Sequence, residues 1–144
     1  MKKNLIIALA FLFMQFSSFA QKATIFSVDG KAIRGYDVVA FFTSHQPVIG
    51  NDSINYQWND ANWLFASKEN KALFIKNPEK YAPQYGGYCA YGTAANHKAP
   101  TQIDTWTILN DKLYFNYNTK VKAYWNKKQD SLIERANFYW PTLK

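Results

Sequence analysis

The 144-residue chain carries a single cysteine, Cys89, so it can form no internal disulfide and must be held together by buried apolar surface. It has the means to do so. Five tryptophans, ten tyrosines and eleven phenylalanines make up 18% of the residues, and each large ring buries roughly 150–250 Å². The aromatics fall mostly on the inward phases of segments that alternate as strands or repeat as helices, which is the pattern of a packed core.

The N-terminus reads as an export leader. Lys2 and Lys3 supply the positive start, Leu5 to Phe16 is apolar apart from Gln15, and Ser18-Phe19-Ala20 offers the small residues of a cleavage site. The apolar run is shorter than the roughly 20 residues a membrane span requires. An uncleaved anchor is the alternative; the flanks favour cleavage after Ala20, and no cysteine near that point offers a lipid attachment. Residues 1–20 are therefore expected to be a signal peptide and residues 21–144 one domain. The mature protein is periplasmic or secreted, with no stable membrane anchor. Loss of Lys2 and Lys3 lowers the net charge from +7 to +5, and both methionines leave with the leader. The remaining basic residues are spread along the chain, densest at Lys120-Lys122 and Lys127-Lys128, so no nucleic-acid partner is expected.

The mature chain shows no repeat, linker or low-complexity tract. Thr24 to Val28 is β-branched and alternating, with a turn at Asp29-Gly30. Ile54–Trp58 and Trp63–Ala66 flank Asn59-Asp60, and Thr105–Leu109 and Lys112–Tyr117 flank Asn110-Asp111, so each pair predicts a hairpin. Ser67 is a helix N-cap with Glu69 in the first turn. That helix should turn Leu73 and Phe74 inward and stop near Asn77, before Pro78. Val121, Tyr124 and Trp125 share a helical face. Ser131 to Glu134 matches a capping box for a last helix carrying Leu132, Ile133, Ala136, Tyr139 and Trp140, which Pro141 should close. Strands and helices come in pairs rather than alternating. The predicted class is α+β, a small antiparallel sheet built from hairpins and packed against several short helices.

The central segment Pro83-Gln84-Tyr85-Gly86-Gly87-Tyr88-Cys89-Ala90-Tyr91-Gly92 crowds three tyrosines around the lone thiol. If Cys89 opens a helix after the two glycines, the helix N-terminus favours its thiolate and makes it a ligand or redox thiol; a small buried hydrophobe is the other reading. The other soft ligands are His45 and His97. Cys89 with His97 is the metal-ligand pair to test, for Cu(I) or Zn(II). In one straight helix the two would lie about 12 Å apart along the axis, so the pair needs a break, for which Gly92 and Asn96 offer the opportunity. His45 lies in a polar loop beside Gln46-Pro47. Asp37, inside the apolar run Tyr36–Phe42, is the carboxylate of interest, with capping of the following turn as its expected role.

These motifs together resemble the YHS domain family, in the exported form that carries a C-terminal helical extension. The resemblance rests on Gly35-Tyr36-Asp37-Val38-Val39-Ala40-Phe41-Phe42, on Trp63-Leu64-Phe65-Ala66-Ser67, and on Phe74 with Asn77-Pro78-Glu79-Lys80-Tyr81-Ala82-Pro83-Gln84. It continues through Tyr85-Gly86-Gly87-Tyr88-Cys89-Ala90, Trp106, Lys112-Leu113-Tyr114-Phe115-Asn116-Tyr117 and Trp140-Pro141. It implies a small metal-binding module, as in the cysteine-bearing members associated with copper-transporting ATPases. The positions matching those members' cysteines are Ala40 and Ala66, so that metal site does not carry over. Val38 and Asn96-His97-Lys98 also depart from the family pattern.

Three functional readings follow. The first is a non-enzymatic metal-binding or metal-handling accessory module. The second is an aromatic-lined small-molecule, sugar-stacking or partner-binding module without metal, in which exposed Tyr85, Tyr88 and Tyr91 would line the cleft and buried ones would not. The third is a single-thiol redox protein. No phosphate loop, nucleophile triad or zinc-hydrolase motif marks an enzyme, so no catalytic residue is assigned.

Overall fold

The computed structural model describes residues 23–144; the expected signal peptide lies outside the described residues. Strands β1 (Ser27–Val28), β2 (Lys31–Ala32), β3 (Asn51–Trp58) and β4 (Ala61–Phe65) form a four-stranded sheet in the order β1-β2-β4-β3. A separate ribbon pairs β5 (Thr107–Leu109) with β6 (Lys112–Tyr114). The helices are α1 (Ala40–Thr43), α2 (Lys68–Lys76), α3 (Pro78–Tyr81), α4 (Ala90–Ala94), α5 (Thr119–Asn126) and α6 (Gln129–Leu143). The class is α+β, as the paired elements predict. The sheet is not wholly antiparallel: a short parallel contact, Lys31 opposite Asn62, joins the two hairpins through β2 and β4.

All three hairpins use one device. Asp29-Gly30, Asn59-Asp60 and Asn110-Asp111 each place two consecutive residues at positive φ, between 50° and 74°. This left-handed pair matches the twist of the strands it joins, and Asn, Asp and Gly tolerate it best. The strands are shorter than the patterning implies. Thr24 to Phe26 lie outside β1, where the Phe26 N–H donates to the Gly86 carbonyl (2.8 Å), and β6 ends at Tyr114.

Ser67 caps α2 by accepting the Asn70 N–H, worth about 1 kcal/mol, and α2 ends against Asn77. Phe74 is fully buried, but Leu73 is 39% exposed, correcting its inward placement. Successive helical residues lie about 100° apart, so one short helix cannot seat both on the same narrow contact. On α5 the inward residue is Trp125, while Tyr124 is half exposed. The capping box is also corrected. The link from α5 is so short that α6 starts at Gln129, and Ser131 lies inside its first turn, donating to the Lys128 carbonyl. Pro141 does not close α6, which runs to Leu143. So near a C-terminus its missing N–H removes a single backbone bond.

Two apolar cores result. One gathers Ile33, Val39, Phe41, Trp63, Phe65 and Phe74 with Leu113 and Phe115; the other gathers Tyr85, Ala90, Ala94, Trp125, Leu132 and Ala136 with Tyr114. The alternation of side chains along an extended segment explains the division: Leu113 and Phe115 point to one side of β6, Tyr114 to the other.

Candidate functional site

Cys89 is the N-cap of α4, on the helix side expected, but in a five-residue helix and 2% exposed. Its sulfur accepts the N–H groups of Tyr117 (3.2 Å) and Gly92 (3.3 Å), and the thiol faces Asn116 Oδ1 at 3.7 Å. Asn116, also fully buried, is held by Thr105, whose hydroxyl accepts its N–H at 2.8 Å. The thiol thus ties α4 to the end of β6. Burial pushes the Cys89 thiol up, and the backbone N–H donors from Gly92, Tyr117 and Tyr91 offset this only in part. The neutral thiol is the favoured form, which corrects the expectation of a helix-stabilised thiolate.

The same burial bears on stability at alkaline pH. Burial also raises the phenols of Tyr85, Tyr88 and Tyr114. With folded values above unfolded ones, the native state retains protons that the unfolded chain releases. The stability these groups contribute is fully present below the ordinary thiol value of 9.0, and declines as pH rises past it and past 10.0. Urea midpoints should hold steady through neutral pH and fall progressively above pH 9. At neutral pH, iodoacetamide should label Cys89 at least about 100-fold more slowly than in the urea-unfolded chain. Equal labelling rates would show that the thiol is open to solvent.

His97 is exposed, with Nδ1 3.4 Å from the Ala95 carbonyl, and His45 is exposed in its loop. The break that the metal pair requires is present. Asn96 adopts φ 63°, the Asn96 N–H donates to the Thr93 carbonyl, and the His97 N–H donates to the Gly92 carbonyl, a Schellman ending that turns the chain back. His97 Nε2 comes to 3.3 Å from where a Cβ on Gly92 would stand, while the Gly92 N–H meets the Cys89 sulfur. Both candidate ligands therefore abut one residue. Among the described residues no group of three or more His, Cys, Asp or Glu side chains could hold a metal ion.

Asp37 is fully buried and serves as a hub, extending the expected capping role. Oδ1 accepts the N–H groups of Val39 (2.9 Å) and Ala40 (3.3 Å); Oδ2 accepts those of Ala66 (2.9 Å) and the Asn70 side chain (2.7 Å). Ala40 and Ala66, far apart in sequence, thus meet at one carboxylate.

The tyrosine cleft is corrected. Tyr85 and Tyr88 are buried, and Tyr91 alone is substantially exposed. A cleft of about 260 Å³ exists elsewhere, and Tyr85 contributes to it. Trp58 ends β3 and Asn59 opens the turn to β4, Glu79 comes from α3, Gln84 to Gly86 from the following 3-10 turn, and Asn137, Trp140 and Pro141 from α6. The Tyr85 hydroxyl donates to Asn137 Oδ1 at 3.0 Å, fixing the amide. Sequence reasoning missed Glu79, Asn59 and Asn137 because they are ordinary exposed polar residues until the fold assembles them. The motif Trp140-Pro141 was the one available signal. Comparison with protein-family models, curated proteins and solved structures returns no match.

Proposed function

We propose that this chain is an exported, non-catalytic module of the YHS type that binds a small molecule in the cleft between the β3–β4 turn and α6. The observation that carries this reading is the cleft itself, where aromatic rings and polar heads from four separate elements meet on a well-packed frame. The meeting of Ala40 and Ala66 at Asp37 supports the YHS resemblance, since two positions far apart in sequence share one node. Titrating isotope-labelled protein with a panel of small sugars, amines and apolar fragments tests the binding. The indole N–H signals of Trp58 and Trp140 should shift while that of buried Trp125 stays fixed. No shift from any compound overturns the reading.

A second reading, metal handling by Cys89 and His97, is favoured by the turn that brings both against Gly92. The residues suit Cu(I), which accepts few soft ligands, better than Zn(II), which requires four. Elemental analysis after reducing reconstitution with Cu(I) should then find one copper per chain, lost in Cys89→Ala. A metal-free parent removes this reading.

A further inference from the structure

The cleft that carries the functional reading also constrains what it can hold. Its lining includes Glu79 and no lysine, arginine or histidine, so an anion meets a like charge in the lining itself. A cation fares little better. The Lys98 ammonium already lies 5.5 Å from the centre of the Trp140 ring, so a second positive charge at that ring meets a resident one. A wholly apolar ligand would cover Glu79, Asn59, Gln84 and Asn137 without answering their hydrogen bonds.

The polar groups specify the remaining class. Pro141 has no N–H, so the Asn137 carbonyl lacks the donor that an unbroken α-helix would supply from four residues on. Glu79 gives the cleft a carboxylate that accepts hydrogen bonds. Tyr85 holds Asn137 Oδ1, which turns the amide N–H₂ of the same residue to other partners. Acceptors and a donor beside tryptophan rings suit a ligand with several hydroxyl groups and an apolar face. The volume of about 260 Å³ falls just below the common range for small-molecule sites, which limits the ligand to one ring or so.

We infer that the cleft binds a neutral monosaccharide, its apolar face on Trp58 or Trp140 and its hydroxyls held by Glu79 and Asn137. The inference rests on the cleft reading proposed above, and the experiment separates the two. Isotope-labelled protein is titrated to tens of millimolar with D-glucose, D-galactose and N-acetylglucosamine, and in parallel with tetramethylammonium and with phenol. At least one sugar should shift the Trp58 or Trp140 indole signals with saturable, low-millimolar affinity. Glu79→Gln and Asn137→Ala, both at exposed positions, should each weaken that affinity by about tenfold while the rest of the spectrum is preserved. Shifts caused by tetramethylammonium or phenol but by no sugar overturn the sugar assignment and leave the cleft reading standing. Sugar shifts that survive both substitutions also overturn it, because the polar groups named here would not be the ones that hold the ligand. Silence from every compound ends both.

Discussion

Gly86→Ala is expected to destabilise the protein by about 3–5 kcal/mol and lower its melting temperature by roughly 10–20 °C. Two effects combine. Gly86 has φ +60°, where an L-residue is strained by about 1 kcal/mol. Its added Cβ would also run into the Thr24 carbonyl oxygen, well inside contact distance, with the Thr24 carbonyl carbon at 3.0 Å and Ile25 Cα at 3.3 Å. These are backbone atoms that no rotamer change can move aside. The segment must lift, losing the Phe26 bond to Gly86 and the burial of Ile25 and Phe26, worth about 1.5–3 kcal/mol for each side chain. Gly30→Ala provides the contrast, because Gly30 also has positive φ but nothing within 4 Å of the new Cβ. It should cost only about 1 kcal/mol. Equal losses for the two variants, measured by urea unfolding, would show that the collision is relieved cheaply.

Asp37→Ala should cost about 3–4 kcal/mol. The substitution strands the N–H groups of Val39 and Ala66 and the Asn70 amide, while the Ala40 N–H keeps its bond to the Asp37 backbone carbonyl, and a buried unsatisfied donor costs about 1–3 kcal/mol. Water entering beside Ala66, which is exposed, offsets part of that sum. Asn70→Ala removes one donor and leaves the carboxylate three partners, so a loss near 1 kcal/mol is expected. Asp37→Asn should fall between the two, since it keeps one acceptor oxygen and turns an N–H₂ toward donors. A loss below about 1 kcal/mol for Asp37→Ala would mean the four bonds are replaceable.

What could be read from the sequence was what depends on neighbours in the chain. Asn59-Asp60, Asn110-Asp111 and Asp29-Gly30 fix their turns through local backbone preference, and Ser67 and Asn77 bound α2 for the same kind of reason. Cys89 at a helix start was also legible, because two glycines precede it. What escaped depends on partners far away in sequence. Nothing local marks Lys31 to lie parallel to Asn62, or sets Leu73 outside while Phe74 goes in. The state of the Cys89 thiol turned on burial by β6 and its following residues, which the helix start alone did not reveal. The cleft was least legible of all: Trp58, Glu79, Tyr85 and Asn137 belong to no common motif and meet only in the folded chain.

The anchoring of Ala23 to Phe26 has a consequence for the order of events during synthesis. The Ala23 carbonyl accepts from the Tyr88 hydroxyl and the Lys98 ammonium, 65 and 75 residues downstream, and Phe26 waits for Gly86. Phe26 can meet Ile33 early, but the bonds that anchor the segment to Gly86, Tyr88 and Lys98 wait until most of the chain has followed. Such distant closures make assembly slow, because the loop must be closed before its contacts reward it. A nascent chain of this kind remains open and threadable until its second half arrives, the condition in which a polypeptide can still be handed through a narrow channel.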